Sequence, residues 1–235
     1  MQNNDRKDIE FDQFAPLYSE LLNDPLRNCF TRDPIHFHRR KWILLERLLE
    51  SVGAKPETMK WLDVGCGRGE LLELGGKAFY QATGCDPSQS MLSLTNRYKT
   101  HTQSSPVELP FPDSSFDFVT AVCVLHHVHG EDRTLLMKEI RRVLIHRGFV
   151  CIIEHNPWNP VTRVIVKRCS IDVDAELLTA RKASTLLAVS GFTTVRKEYF
   201  LYLPERYYNS WGASERVLSM LPFGGQYALL SHVQK

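Results

Sequence analysis

The chain has 235 residues, 43% of them hydrophobic and 24% charged, with a formal net charge of +2. That length suffices for one domain with a sizeable core, and the composition is that of a globular chain rather than a disordered one. Charge so near zero argues against a nucleic-acid coat, the opening Met1-Gln2-Asn3-Asn4-Asp5 carries no apolar leader, and no apolar run approaches a membrane span. The expectation is a cytoplasmic protein of one domain, with 1–52 as an N-terminal helical cap and 53–235 as the core. Its cysteines (Cys29, Cys66, Cys85, Cys123, Cys151 and Cys169) contain no C-x-x-C pair and read as reduced.

Residues 11–51 read as helical, in one stripe of Phe14, Leu17, Leu21 and Leu22 and another of Trp42, Leu44, Leu45, Leu48 and Leu49. Asn23-Asp24-Pro25 and Asp33-Pro34 interrupt them. Tyr18 either faces a cofactor or packs in the helix interface. His36, His38, Arg39, Arg40 and Lys41 read as a solvated helix face. His36 and His38 are two apart and share no face of a helix, and no metal site is expected here or elsewhere.

Lys60-Trp61-Leu62-Asp63-Val64-Gly65-Cys66-Gly67-Arg68-Gly69-Glu70 reads as a buried strand, a glycine-rich turn and the start of a helix. Glycines without a Cβ let the backbone turn tightly and let a ligand approach its N–H groups. The spacing departs from the dinucleotide pattern G-x-G-x-x-G, because the third glycine comes one residue early and Glu70 stands in its place. No Lys-Ser/Thr follows, as a phosphate cradle requires. With Asp63 before the glycines and Glu70 after them, the rim is acidic. It suits a ligand bearing a sulfonium and an ammonium better than a pyrophosphate.

A second strand over 78–85 leads into Asp86-Pro87-Ser88. At the carboxyl end of a second strand, Asp86 is placed to accept from the hydroxyls of a ribose, and the alternative is an N-cap for the following helix. A turn-rich stretch, 107–117, precedes an apolar strand over 118–125 that ends in His126-His127-Val128-His129, imidazoles at a carboxyl edge. Leu135, Leu136, Ile140, Val143 and Leu144 trace a helix, Gly148 turns the chain, and a strand over 149–153 ends in Glu154-His155-Asn156-Pro157. The rest reads as an irregular segment (158–174), a helix (174–190), a strand (193–202), a connection and a closing strand (226–233). The alternation predicts an α/β three-layer sheet.

Several of these motifs, in order, resemble the class I S-adenosylmethionine-dependent methyltransferases, and within them the ubiquinone/menaquinone methyltransferase-like group. The motifs are Leu62-Asp63-Val64-Gly65-Cys66-Gly67-Arg68-Gly69, Leu109-Pro110-Phe111, Phe116-Asp117-Phe118-Val119, Leu125-His126-His127-Val128 and Glu139-Ile140-Arg141-Arg142-Val143-Leu144 with Gly148. The resemblance implies a Rossmann-like, mostly parallel sheet of seven strands, the last antiparallel, and S-adenosylmethionine as cofactor. It implies that Gly65, Cys66 and Gly67 approach the methionine moiety and that Asp63 holds its amino group. Asp86 and Pro87 would lie at the ribose, Leu109 beside the adenine and Val124 under the methionine part. Ser105 stands where the group often has an aspartate that reads the adenine amine.

The sulfonium is already an activated leaving group, so the protein must align an acceptor and, where needed, take its proton. Candidate bases are His126, His127, His129 and His155, with Glu154 as base or orienter; His127 and Glu154 have an alternative role in capping loop N–H groups. The expected acceptor is a small molecule, reached under lids near 157–174 and 204–225, where Tyr207, Tyr208 and Trp211 either wall the acceptor or pack. The alternative is a macromolecule such as tRNA or a carrier protein. Near-neutral charge and the lack of an Asn/Asp-Pro-Pro-aromatic tetrad count against it, Asn156-Pro157-Trp158 following a later strand. A binding protein that has lost its chemistry is a third reading, disfavoured by the intact glycines and Asp86.

Overall fold

The computed structural model describes residues 12–33, 35–95 and 97–234; the expected helix start at Phe11 and the break at Pro34 lie outside the described residues. One seven-stranded sheet runs in the order β3-β2-β1-β4-β5-β7-β6. The strands are β1 (Lys60–Val64), β2 (Gln81–Asp86), β3 (Lys99–Thr102), β4 (Phe116–Val122), β5 (Leu144–His155), β6 (Phe192–Phe200) and β7 (Gln226–Val233). The first five pair in parallel, and β7 inserts antiparallel between β5 and β6. Parallel pairing needs crossovers that lay helices on both faces, so its strands are apolar on both sides. Trp61, Leu62 and Val64 of β1 and Phe118, Val119 and Ala121 of β4 are accordingly all buried.

The helices are α1 (Tyr18–Leu21), α2 (Pro25–Asn28), α3 (His36–Ser51), α4 (Glu70–Gly75), α5 (Gln89–Leu92), α6 (Asp132–Val143), α7 (Pro160–Arg168), α8 (Ala180–Val189), α9 (Glu205–Trp211) and α10 (Ser214–Leu218). On one face of the sheet, Leu62, Val119 and Ile152 pack in a core with Leu136 and Ile140 of α6 and Leu187 of α8. On the other, Trp61, Phe118 and Ile153 share a core with Leu45 and Leu49 of α3 and Leu72 of α4. Trp61 anchors that side: its ring lies 6.1 Å from Trp42 and 4.9 Å from Phe79, whose own ring stacks 5.9 Å from Phe118. Burying each such side chain contributes about 1.5–3 kcal/mol.

Several expectations shift. The second strand starts at Gln81, because Gly76–Ala78 forms a 3-10 turn. β4 begins at Phe116 and stops at Val122, where Cys123 takes a φ of +59° that no strand accommodates. β5 starts at Leu144 and runs through Gly148. The polar, partly exposed edge strand β3 had no apolar alternation to announce it. Part of the segment read as irregular is α7: Asn159 caps it by accepting from the Thr162 N–H at 2.9 Å, and Pro160 occupies its first turn. The expected helix over 174–190 begins only at Ala180.

The basic cluster that opens α3 is not a solvated face. His36 and Lys41 are buried, and only Arg39 is exposed. His36 lies 3.4 Å from Glu205 and packs against the Tyr208 ring. Lys41 turns inward, its ammonium 3.5 Å from the Cys123 sulfur. Among the described residues, no helix is long and apolar enough to cross a membrane.

Candidate active site

The chain leaves β1 through Gly65, Gly67 and Gly69, whose φ angles are +68°, +54° and +77°. A Cβ on Gly65 would stand 2.5 Å from Val124 Cγ2, so the loop after β1 meets the loop after β4 only because that Cβ is missing. A Cβ on Gly67 would meet nothing within 4 Å. The loop is tied to the end of β2: the Gly65 and Cys66 N–H groups donate to the Cys85 carbonyl at 2.8 and 3.0 Å, and the Gly67 N–H donates to Asp86 Oδ2 at 2.8 Å.

Above this loop lies a cleft of about 600 Å³, at the carboxyl ends of β1 and β4, where strand order reverses. Asp63, Gly65, Cys66, Gly67, Asp86, Pro87, Val124 and Tyr18 all line it, as do His126, His127, His129 and His155. Leu109 and Glu154 do not line the cleft. Leu109 is buried in the core, its N–H donating to Glu139 Oε2 at 3.1 Å, and is not among the lining residues. Glu154 is 1% exposed and sits behind the cleft wall.

Asp63 ends a relay from the core: the Trp61 indole donates to the Thr120 hydroxyl at 2.8 Å, which donates to Asp63 Oδ1 at 2.6 Å. Burial lifts the Asp63 carboxyl to about 7, against Thr120 and Lys41, which favour its ionised form. Asp86 accepts from the Ser88 N–H at 2.9 Å as well as from Gly67. The N-cap of α5 is Ser88, whose hydroxyl accepts from the Met91 N–H, so that alternative for Asp86 falls away. Further along, Ser105 bridges to Glu108, and the cleft is lined there by buried Gln103 and by Pro106. Gln103 was missed because it follows the unread β3.

Opposite the glycine loop stands an imidazole cluster. Glu154 Oε1 accepts from the Val124 and Leu125 N–H groups at 3.0 and 2.7 Å, and its Oε2 accepts from His126 Nδ1 at 2.6 Å. Glu154 therefore orients His126 and satisfies the loop, its capping role. On the other side, His126 Nε2 lies 3.5 Å and His127 Nε2 3.4 Å from the same Asp172 oxygen. Burial alone would lower the His126 imidazole, but Glu154 and Asp172 hold it up at about 10. Burial and the neighbouring His126 depress His127 to about 3.

The cleft's roof brings in residues the sequence had not marked. Arg27, His38 and Lys41 line it from the N-terminal helices, and Asp172 from the turn after α7. Burial would raise the Cys123 thiol, yet Lys41 and His155 bring it down to about 7. Lys41, Leu45 and Leu48 recur at helical spacing, a signal that could have placed Lys41 inward. Asp172 left no such trace. Of the segment 204–225, only Gly225 lines the cleft among the described residues. Tyr207 and Trp211 are exposed, and Tyr208 lies under the Arg40 guanidinium, 3.8 Å away. None of the three lines the cleft.

Residues 62–152 match the family model described as a methyltransferase domain. A 2-phytyl-1,4-naphtoquinone methyltransferase from Synechococcus elongatus is 31% identical over 166 residues, 65% of this chain and 65% of that protein. A tRNA (carboxymethyluridine(34)-5-O)-methyltransferase from Schizosaccharomyces pombe is 24% identical over 133 residues, 55% of this chain and 56% of that protein. The chain thus spans about half to two thirds of these relatives' length. The crystal structure of a SAM-dependent methyltransferase from Archaeoglobus fulgidus superposes with a TM-score of 0.63 at 20% identity, covering 85% of this chain and 100% of that one, a likeness of fold. With the glycine loop, the acids closing β1 and β2, and the 3-2-1-4-5-7-6 sheet goes a match to a methyltransferase domain over residues 62–152, and the chain is similar in fold to S-adenosylmethionine-dependent methyltransferases.

Proposed function

We propose that this chain transfers the methyl group of S-adenosylmethionine to a small-molecule acceptor. The observation that carries the reading is one cleft lined both by bare glycine backbone with the acids Asp63 and Asp86 and by the imidazoles His126, His127, His129 and His155. The glycines and these two acids fit the cofactor. Asp63, a buried carboxyl whose charge burial opposes, gains by meeting a cation such as an ammonium. Asp86 would accept from the ribose hydroxyls, Gly65, Cys66 and Gly67 would bring main chain close to the ligand, and Val124 and Pro87 would complete the floor. Tyr18, with the Arg68 guanidinium 5.0 Å above its ring, would cover it.

When bound, the cofactor supplies a methyl on a positively charged sulfur, to which the breaking bond's electrons return. What the chain adds is alignment behind that methyl and a home for the acceptor's proton. His155 faces the cleft and would take that proton, while Glu154 acts through His126 as a positioning residue. A small acceptor suits a cleft roofed by α1–α3 and by the turn around Asp172. The quinone-directed relative supports this reading, and the tRNA-directed one keeps a macromolecular acceptor as the alternative.

The test is calorimetric titration with S-adenosylhomocysteine. Asp86→Ala removes a charged acceptor worth about 1.5–3 kcal/mol and should weaken binding by about tenfold to a hundredfold. Affinity equal to wild type would remove Asp86 from the site. Binding of NAD in place of the homocysteine product would overturn the reading itself.

A further inference from the structure

Two imidazole nitrogens and one carboxylate oxygen converge inside the cleft. One ligand atom from each of His126, His127 and Asp172 lies within 4.8 Å of the other two, and the Nε2 atoms of the two histidines stand 3.5 and 3.4 Å from Asp172 Oδ1. Both separations are long for a hydrogen bond, whose usual range is about 2.7–3.2 Å. They match the edge of a tetrahedron built on bonds of about 2.1 Å, which is about 3.4 Å. Two of the three separations are thus those of ligand atoms around a metal ion, and the third is no more than 4.8 Å.

The arrangement behind them has the same logic. A metal-ligating histidine presents one ring nitrogen only when the other is held, and a carboxylate on that second nitrogen is the usual device. Glu154 Oε2 accepts from His126 Nδ1 at 2.6 Å, which fixes Nε2 toward Asp172. The backbone carrying both histidines is pinned from three directions. Glu154 takes the Val124 and Leu125 N–H groups, Arg133 Nε donates to the Leu125 carbonyl at 2.9 Å, and the Glu176 N–H donates to the His126 carbonyl at 2.9 Å. Such fixing of ligand-bearing backbone is what a preorganised site requires.

We propose that His126, His127 and Asp172 form a binding site for one divalent first-row transition cation such as Zn²⁺, Mn²⁺ or Fe²⁺, with Glu154 as the group that orients His126. Two imidazoles select these ions over Mg²⁺ and Ca²⁺, which favour all-oxygen shells. Three protein ligands leave positions open toward the cleft. Resting on the methyl-transfer reading, those positions name the acceptor's chemistry: a molecule with two neighbouring oxygens, at least one a hydroxyl, that chelates the ion. The hydroxyl releases its proton to solvent on coordination, and its oxygen faces the methyl donor as an anion. His155, outside the ligand set, remains available to take the proton instead.

The whole chain, freed of metal by dialysis against a chelator, is titrated with Co²⁺ alone and followed by visible absorption. One equivalent should bind, give the intense bands of a four-coordinate ion, and be displaced by Zn²⁺. His127→Ala and Asp172→Asn should each weaken uptake at least tenfold, and Glu154→Gln by about tenfold to a hundredfold. His146→Ala, exposed on β5, should leave it unchanged. Melting curves establish which variants fold; if one does not, the wild-type spectrum and the remaining variants decide. Absence of Co²⁺ bands, or uptake indifferent to both ligand variants, overturns the site. The same preparation is probed with S-adenosylhomocysteine: stabilisation without metal uptake sinks this proposal and spares methyl transfer, whereas uptake without stabilisation does the reverse.

Discussion

Asp63 is where the hydrophobic core and the cleft meet in one side chain. Trp61 is fully buried, yet its indole N–H needs an acceptor, and Thr120 supplies it and passes the interaction to Asp63. Burial holds the carboxyl up near 7, with Asp86 and Glu70 adding repulsion and Lys41 and Thr120 opposing it. In the ligand-free protein this raised carboxyl favours folding most below its ordinary range, and the contribution is lost as pH rises through about 7. A cationic ligand reverses the preference by favouring the carboxylate. Binding of S-adenosylhomocysteine, which carries an ammonium, should therefore release a proton and tighten as pH climbs from 6 toward 8, by about tenfold per unit at most. Calorimetry in buffers of different ionisation enthalpy reads the proton directly. Asp63→Asn should flatten the profile, and an equally steep profile in that variant would assign the titration elsewhere.

At the level of the element, the glycine loop joins two demands that separate variants can tell apart. Gly65→Ala meets Val124 at 2.5 Å in a left-handed conformation, whereas Gly67→Ala meets only open space. The left-handed backbone alone costs about 1–2 kcal/mol. Gly65→Ala should lower the melting temperature well beyond Gly67→Ala, while Gly67→Ala should lose product binding out of proportion to its stability. Equal melting temperatures would mean that the loops after β1 and β4 are not tightly apposed. This loop was legible because its residues are contiguous and each does a local job: the apolar strand, the glycines and the acid at either end lie within eleven positions. The imidazole runs after β4 and β5 were legible for the same reason. Asp172 and Lys41 were not read, since they enter the cleft from a turn and a helix far off in sequence; helical spacing with Leu45 and Leu48 could have turned Lys41 inward, but nothing in its neighbours' pattern marks Asp172. Glu154 was read as base or orienter, and its contacts with Val124, Leu125 and His126 favour the second. The fold itself was readable from strand–helix alternation, except where β3 offered no apolar pattern and where an Asn-Pro pair opened α7 rather than a loop.

The molecule as a whole is governed by where β7 lies. It is the last strand in sequence but an interior one in space, paired along Phe149–His155 of β5 on one side and Phe192–Phe200 of β6 on the other. A chain stopped before Gln226 would leave β5 with a bare, apolar edge and β6 with no neighbour in the sheet. Such a truncation should aggregate, and limited proteolysis should cut the α9–α10 region and β6 first; a monomeric, protease-resistant fragment would contradict this. Gln226 also reaches from the start of β7 to the Cys123 sulfur at 3.3 Å, so the strand that completes the sheet also braces the cleft. During synthesis, then, β1 to β6 all leave the ribosome before this keystone does. Until β7 inserts, β5 carries an open edge and β6 lacks a partner strand, so the cleft takes its working shape only after both have been joined.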